Sequence, residues 1–206
     1  LLDIGADKTA VAAREIWELD PFADLHLYPS GVSDDNLTVF ITGEPKLDIF
    51  IDEMDSVEMK ARARLVCREN KIPVLMATDN GDDVLLDVER YDLEPERPIF
   101  HGLVEEKEVM NAKNLNYQQW VELVTKIVDP KYLPKSMRQS LSEIGKTIAA
   151  VPQLGPTASV AGTAIAYAVR RIANNQAMPS GRYVVSLEKC LGVLDSVRIP
   201  HPLSQT

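Results

Sequence analysis

Three carboxylates, Asp52, Glu53 and Asp55, fall within four positions directly after the apolar run Ile49-Phe50-Ile51, and a helical pattern carrying Lys60, Arg62 and Arg64 begins at once. The apolar run reads as a strand, which places the acids at its carboxyl end and just before a helix N-terminus. In open parallel sheets that is where ligands bind. A carboxylate there can hold Mg2+, and the ion can bridge phosphate oxygens. It can equally complement a helix dipole, and Asp55, directly before Ser56, suits a cap. Asp55 is the first candidate for metal and phosphate chemistry, and Asp52 the weaker one. A second candidate is Lys8, which follows Gly5 and opens the first helical pattern. An ammonium group in a first turn opposes the dipole, which suits a lysine reaching for an anion such as a phosphate. The alternative is an exposed surface lysine.

Other reactive residue types offer less. Cys67 and Cys190 stand far apart, with no C-x-x-C pair, so a cysteine-rich zinc site and a disulfide framework are both unexpected, and a reducing cytoplasm fits best. Both read as buried structural residues rather than nucleophiles. His26 alternates within a strand pattern, His101 could face a cleft or serve structure, and His201 lies in a polar tail; their spacing suggests no metal site. No G-x-G-x-x-G occurs.

The elements that must position these groups follow from periodicity. Asp7 to Leu19 reads as an amphipathic helix with Ala10, Val11, Ala13 and Trp17 at helical spacing. Residues 24–29 alternate like a strand. Ser33-Asp34-Asp35 caps a short helix through Phe40. A buried strand over 47–52, a helix over 56–70 with Val57, Ala61 and Leu65 inward, and a strand over 72–78 follow. That α-β-α-β-α-β order predicts right-handed crossovers and a parallel sheet. Residues 79–83 read as a turn, and 84–92 as a further strand that could run antiparallel to the last. A proline-bearing crossover (93–100) leads to helices over 116–128, 135–148 and 156–173, then a strand and short helix over 181–192. Gly162 and Ala166 give the helix over 156–173 room for close packing, so it is expected to be buried.

The expected class is therefore α/β, Rossmann-like, incomplete at its N-terminus and helical in its second half. Residues 1–103 form a partial nucleotide-binding domain, and 104–206 a C-terminal portion packed on it. The chain opens without an initiator Met and almost directly into a helix, as the middle of a protein would. No signal peptide opens it. A net charge of −9 argues against nucleic acid or an anionic membrane as partner. The least polar run, Val160 to Val169, is too short to span a bilayer.

Gly5-x-x-Lys8, Leu19-Asp20-Pro21, Asp52-x-x-Asp55 and Ile72-Pro73, in that order and spacing, resemble the ThiF/MoeB and ubiquitin-activating enzyme family of adenylyltransferases. Residues 85–103 are similar to bacterial ThiF-like proteins, and 162–188 to that subgroup's closing helix and strand. The resemblance covers residues 3–103 and, less closely, 152–190. It implies binding of ATP and Mg2+ and adenylation of a carboxylate, the C-terminus of a ubiquitin-like or sulfur-carrier protein or a small carboxylate. By position Lys8 would contact the ATP phosphates and Asp55 would organise Mg2+. It also implies a homodimer. The family's glycine-rich loop, ribose-binding acid and arginine finger precede the Gly-x-x-Lys helix, where this chain opens, and its zinc-binding cysteine pairs are missing. The competing reading is an inactive interaction or pairing domain of the same fold. A domain binding a different nucleotide, such as a dinucleotide cofactor, is a third.

Overall fold

The computed structural model describes residues 3–192. Its elements run α1 (Lys8–Leu19), α2 (Leu37–Thr42), β1 (Phe50–Ile51), α3 (Val57–Glu69), β2 (Val74–Asn80), β3 (Asp83–Glu89), a 3-10 turn (Ile99–Gly102), α4 (Glu106–Met110), α5 (Tyr117–Val128), α6 (Lys135–Glu143), α7 (Gly155–Ala173), β4 (Gly181–Ser186) and α8 (Leu187–Leu191). The sheet has four strands in the order β1-β2-β3-β4. Only β1 and β2 run parallel; β3 and β4 are each antiparallel to the neighbour before them. The α/β class holds, but the described sheet is mostly antiparallel rather than parallel. The cause is local: Gly81, at a φ of 71°, and Asp82 turn the chain straight back, so β3 pairs with β2 without a crossover.

The pleat divides the strands' side chains between two faces. Leu75, Ala77, Val84, Leu86 and Val88 form one core with Ala161, Ile165 and Ala168 of α7. Val74 lies on the other face with Val57, Ala61 and Cys67 of α3, together with Ile99, Phe100 and, from α5, Leu123 and Ile127. Helices thus cover both faces. The covering of α7 is one-sided: Gly162 and Ala166 point away from the sheet and are exposed, not packed as their small size suggested.

Several other expectations change. Residues 24–29 make no ladder. The run over 47–52 contributes just two paired residues, since Leu47 to Ile49 precede the register with β2. The helix expected over 135–148 stops at Glu143. Cys67 is buried as expected, whereas Cys190 is exposed on α8. On α1 only Ala13 is buried and Trp17 is half out. His201 lies outside the described residues.

Candidate functional site

The acid knot is split between interior and surface. Asp52 leaves β1 pointing inward and is fully buried. Its Oδ1 accepts from Lys60 Nζ and from the Met54 N–H, both at 3.1 Å, and its Oδ2 accepts from Arg64 Nη1. Burial raises the pKa of this carboxyl, but the charges and hydrogen bonds of Arg64 and Lys60 outweigh it and hold Asp52 below the usual carboxylate range. Both oxygens are committed, so a metal ion would have to displace a guanidinium to reach them.

Arg64 carries the arrangement further. It is fully buried on the inner face of α3, and its Nε donates to Glu89 Oε2 at 2.6 Å. Its guanidinium lies 4.1 Å from the centre of the Phe100 ring. Tyr91 closes the chain by donating its hydroxyl to Glu89 Oε1 at 2.8 Å. Two carboxylates and two cations therefore balance inside the core, each hydrogen-bonded, which is the condition for burying charge.

A second buried cluster stands beside it. Asp87 faces Arg182 across the β3–β4 ladder and accepts from its guanidinium. His101 Nε2 lies 2.9 Å from Asp87 Oδ1, and its Nδ1 lies 2.9 Å from Arg97 Nη2. Arginine offers donors alone, so Nδ1 accepts and Nε2–H donates to Asp87; this fixes the neutral tautomer. Burial raises the Asp87 pKa, and the bonds from His101 and Arg182 more than reverse that. Phe100 and His101, at φ of 49° and 56°, hold the strained turn that presents the imidazole. The space shared by Arg64, Asp87, Glu89, His101 and Arg182 does not admit a water-sized sphere. These clusters are interior structure and leave no room for a ligand.

Glu53 turns back instead of out: its Oε1 accepts from the Ala77 N–H at 3.0 Å, and desolvation raises its pKa despite that bond. Asp55 differs from both. It is exposed, as Glu53 is, but unlike Glu53 it takes part in no hydrogen bond or ion pair among the described residues. Ser56, not Asp55, caps α3, its side chain accepting from the Met59 N–H. Ser56 also begins the wall of an open groove of about 480 Å³, continued by Val57, Glu58, Lys113, Tyr117 and Trp120. The Tyr117 and Trp120 rings stack at 6.3 Å between centroids. A capping box between Asn116 and Gln119 starts α5 and sets that aromatic pair in place.

Lys8 is exposed on the first turn of α1 and has no ion pair among the described residues. It is not brought to the Ser56 groove. Its neighbour Thr9 lines a different groove, of about 410 Å³, between α1, residues 24–32 and Phe40. The described residues contain no cluster of three or more His, Cys, Asp or Glu side chains placed to hold a metal. No helix among them is long and apolar enough to cross a membrane.

Arg64, Glu89, Asp87 and Arg182 did not stand out in the sequence as partners. One signal was present: Arg64 lies seven residues after Val57 and three after Ala61, on the helix face that those two bury.

No family model matches the chain. It is similar to the uncharacterized protein MT1398 of Mycobacterium tuberculosis (strain CDC 1551 / Oshkosh), 38% identical over 200 residues. That match takes in 97% of this chain and 27% of the mycobacterial protein, so the chain spans about a quarter of its relative's length.

Proposed function

We propose that this chain carries part of an ATP-dependent adenylation site, acting on the C-terminal carboxylate of a ubiquitin-like or sulfur-carrier protein or on a small carboxylate. The observation that carries the reading is the division of labour in the acid knot. Asp52 is neutralised inside and Glu53 is turned back on Ala77, while Asp55 is left exposed and unpaired among the described residues, at a strand's carboxyl end. Ser56 already caps the helix, so Asp55 is not needed as its cap. The residue pattern described above, with Lys8 and Asp55 in matching positions, supports the same reading.

Mg2+ would supply the positive charge that lets an anionic carboxylate approach an anionic phosphate. Asp55 suits that ion, which is commonly held by one or two carboxylates together with substrate phosphates. Asp52 does not, because Arg64 and Lys60 occupy it. The groove from Ser56 to Trp120 falls within the usual size of a ligand site, roughly 300–1,000 Å³, and offers Lys113 and two aromatic faces to a substrate. Lys8 reaches the phosphates only if parts of the polypeptide outside residues 3–192 complete the site. A cytoplasmic setting, with its ATP supply, and a homodimer belong to this reading.

The second reading, an inactive pairing or interaction domain, is favoured by one observation: Leu19 and Phe22 are 90% and 92% exposed. ATP–pyrophosphate exchange by the whole polypeptide carrying these residues separates the two. Exchange that needs a carboxylate substrate and falls by two orders of magnitude or more in Asp55→Ala supports adenylation. No exchange in a folded wild type supports the pairing domain.

A further inference from the structure

We infer that residues 24–29 and the free edge of β1 receive at least one further β-strand, supplied by polypeptide beyond these 206 residues. The inference is independent of the adenylation reading.

The segment Asp24-Leu25-His26-Leu27-Tyr28-Pro29 has the alternation of a strand and no ladder. Among the described residues no N–H from Asp24 to Tyr28 has an acceptor, and of the carbonyls from Asp24 to Pro29 only that of Tyr28 is used, by Gly31. Trp17 holds the segment's start by donating Nε1–H to the Ala23 carbonyl at 3.0 Å. Tyr28 holds its end against Phe40 at 4.9 Å between ring centroids, and Phe40 meets Phe50 of β1 at 6.3 Å. An aromatic chain therefore ties this unpaired segment to the edge strand of the sheet. β1 is paired with β2 alone, and Ile51 is 47% exposed within it. Two tethered backbone edges, each with unused donors and acceptors, are a template for strand addition.

The surrounding surface says what kind of partner fits. Leu19, Phe22, Leu27 and Val39 are exposed around the segment. These are apolar side chains that an added segment could cover. The Thr9 hydroxyl is buried in the adjoining groove with no partner among the described residues, so that groove has a donor or acceptor to offer. An extended segment with alternating apolar side chains meets both demands. The mycobacterial relative points to the source: there a region similar to nearly the whole chain forms about a quarter of a longer protein.

Hydrogen exchange followed by mass spectrometry tests this on the 206-residue chain and on the natural polypeptide carrying it. The expected result is near-unprotected exchange at residues 24–28 in the 206-residue chain and protection greater by about 100-fold or more in the natural polypeptide. Equal, fast exchange in both overturns the proposal. Protection already present in the 206-residue chain overturns it too: if it grows with protein concentration the occupant is a second copy, and if it does not the occupant is the chain's own residues.

Discussion

Arg64 and Asp52 form an ion pair from which water is wholly excluded, and Arg64 reaches past it to Glu89, 25 residues further along the chain. This triad ties β1, α3 and β3 together from the inside. Removing one member of a buried pair leaves an uncompensated charge and costs about 3–5 kcal/mol. Arg64→Met strands Glu89 and half of Asp52, and is expected to lose stability in that range by urea denaturation. Lys60→Met, at the less deeply buried end, is expected to lose clearly less.

Tyr91 tests the same cluster more gently. Tyr91→Phe removes the hydroxyl that donates to Glu89. The loss expected in the same denaturation assay is about 1.5–3 kcal/mol, the worth of a hydrogen bond to a charged group.

The response to acid follows from Asp52 and Asp87, both held below the usual carboxylate range in the folded protein. A carboxylate with a depressed folded pKa contributes stability that is fully present above its unfolded value, about 3.9. That contribution is lost as pH falls through the folded value. Glu53, whose pKa is raised by desolvation, acts with the opposite sign: its ionisation costs folding free energy at neutral pH, and protonation relieves that cost. Melting temperature is therefore expected to drop steeply below about pH 4, and the drop to shrink in Asp87→Asn, which no longer titrates. An unchanged slope in that variant would mean Asp87 is not held as described.

The two thiols give a chemical check on the fold. Cys67 is buried, and desolvation pushes its pKa up to about 12, whereas Cys190 is exposed. Since the thiolate is the reactive form, native protein at pH 8 is expected to label rapidly at Cys190 alone. Cys67 should label only on unfolding.

Much of the frame was legible from periodicity. The helices around Ala13, Ala61, Leu123 and Ile165 follow from helical spacing of apolar residues, and the β2–β3 reversal from the turn residues at 79–83 between two apolar runs. What periodicity could not show is whether a strand has a neighbour. Residues 24–29 carry the pattern and lack the pairing, because strand pairing is supplied by other segments and not by the strand itself. The same blindness hid the acid knot's division. Asp52 and Asp55 are equivalent as letters. They differ only because Arg64, read as one of three basic residues in a row of helix, turns inward to meet Glu89. Gly162 and Ala166 show the converse: small side chains permit close packing without causing it, and here they face outward.

On the proposed reading, Asp52 serves the fold and Asp55 serves the chemistry. The most direct measurement pairs melting temperature with ATP–pyrophosphate exchange for Asp52→Asn and Asp55→Asn in the whole polypeptide. The account predicts that Asp55→Asn melts like wild type and loses exchange, while Asp52→Asn melts well below it. Full exchange in Asp55→Asn, with wild-type melting in Asp52→Asn, would contradict it.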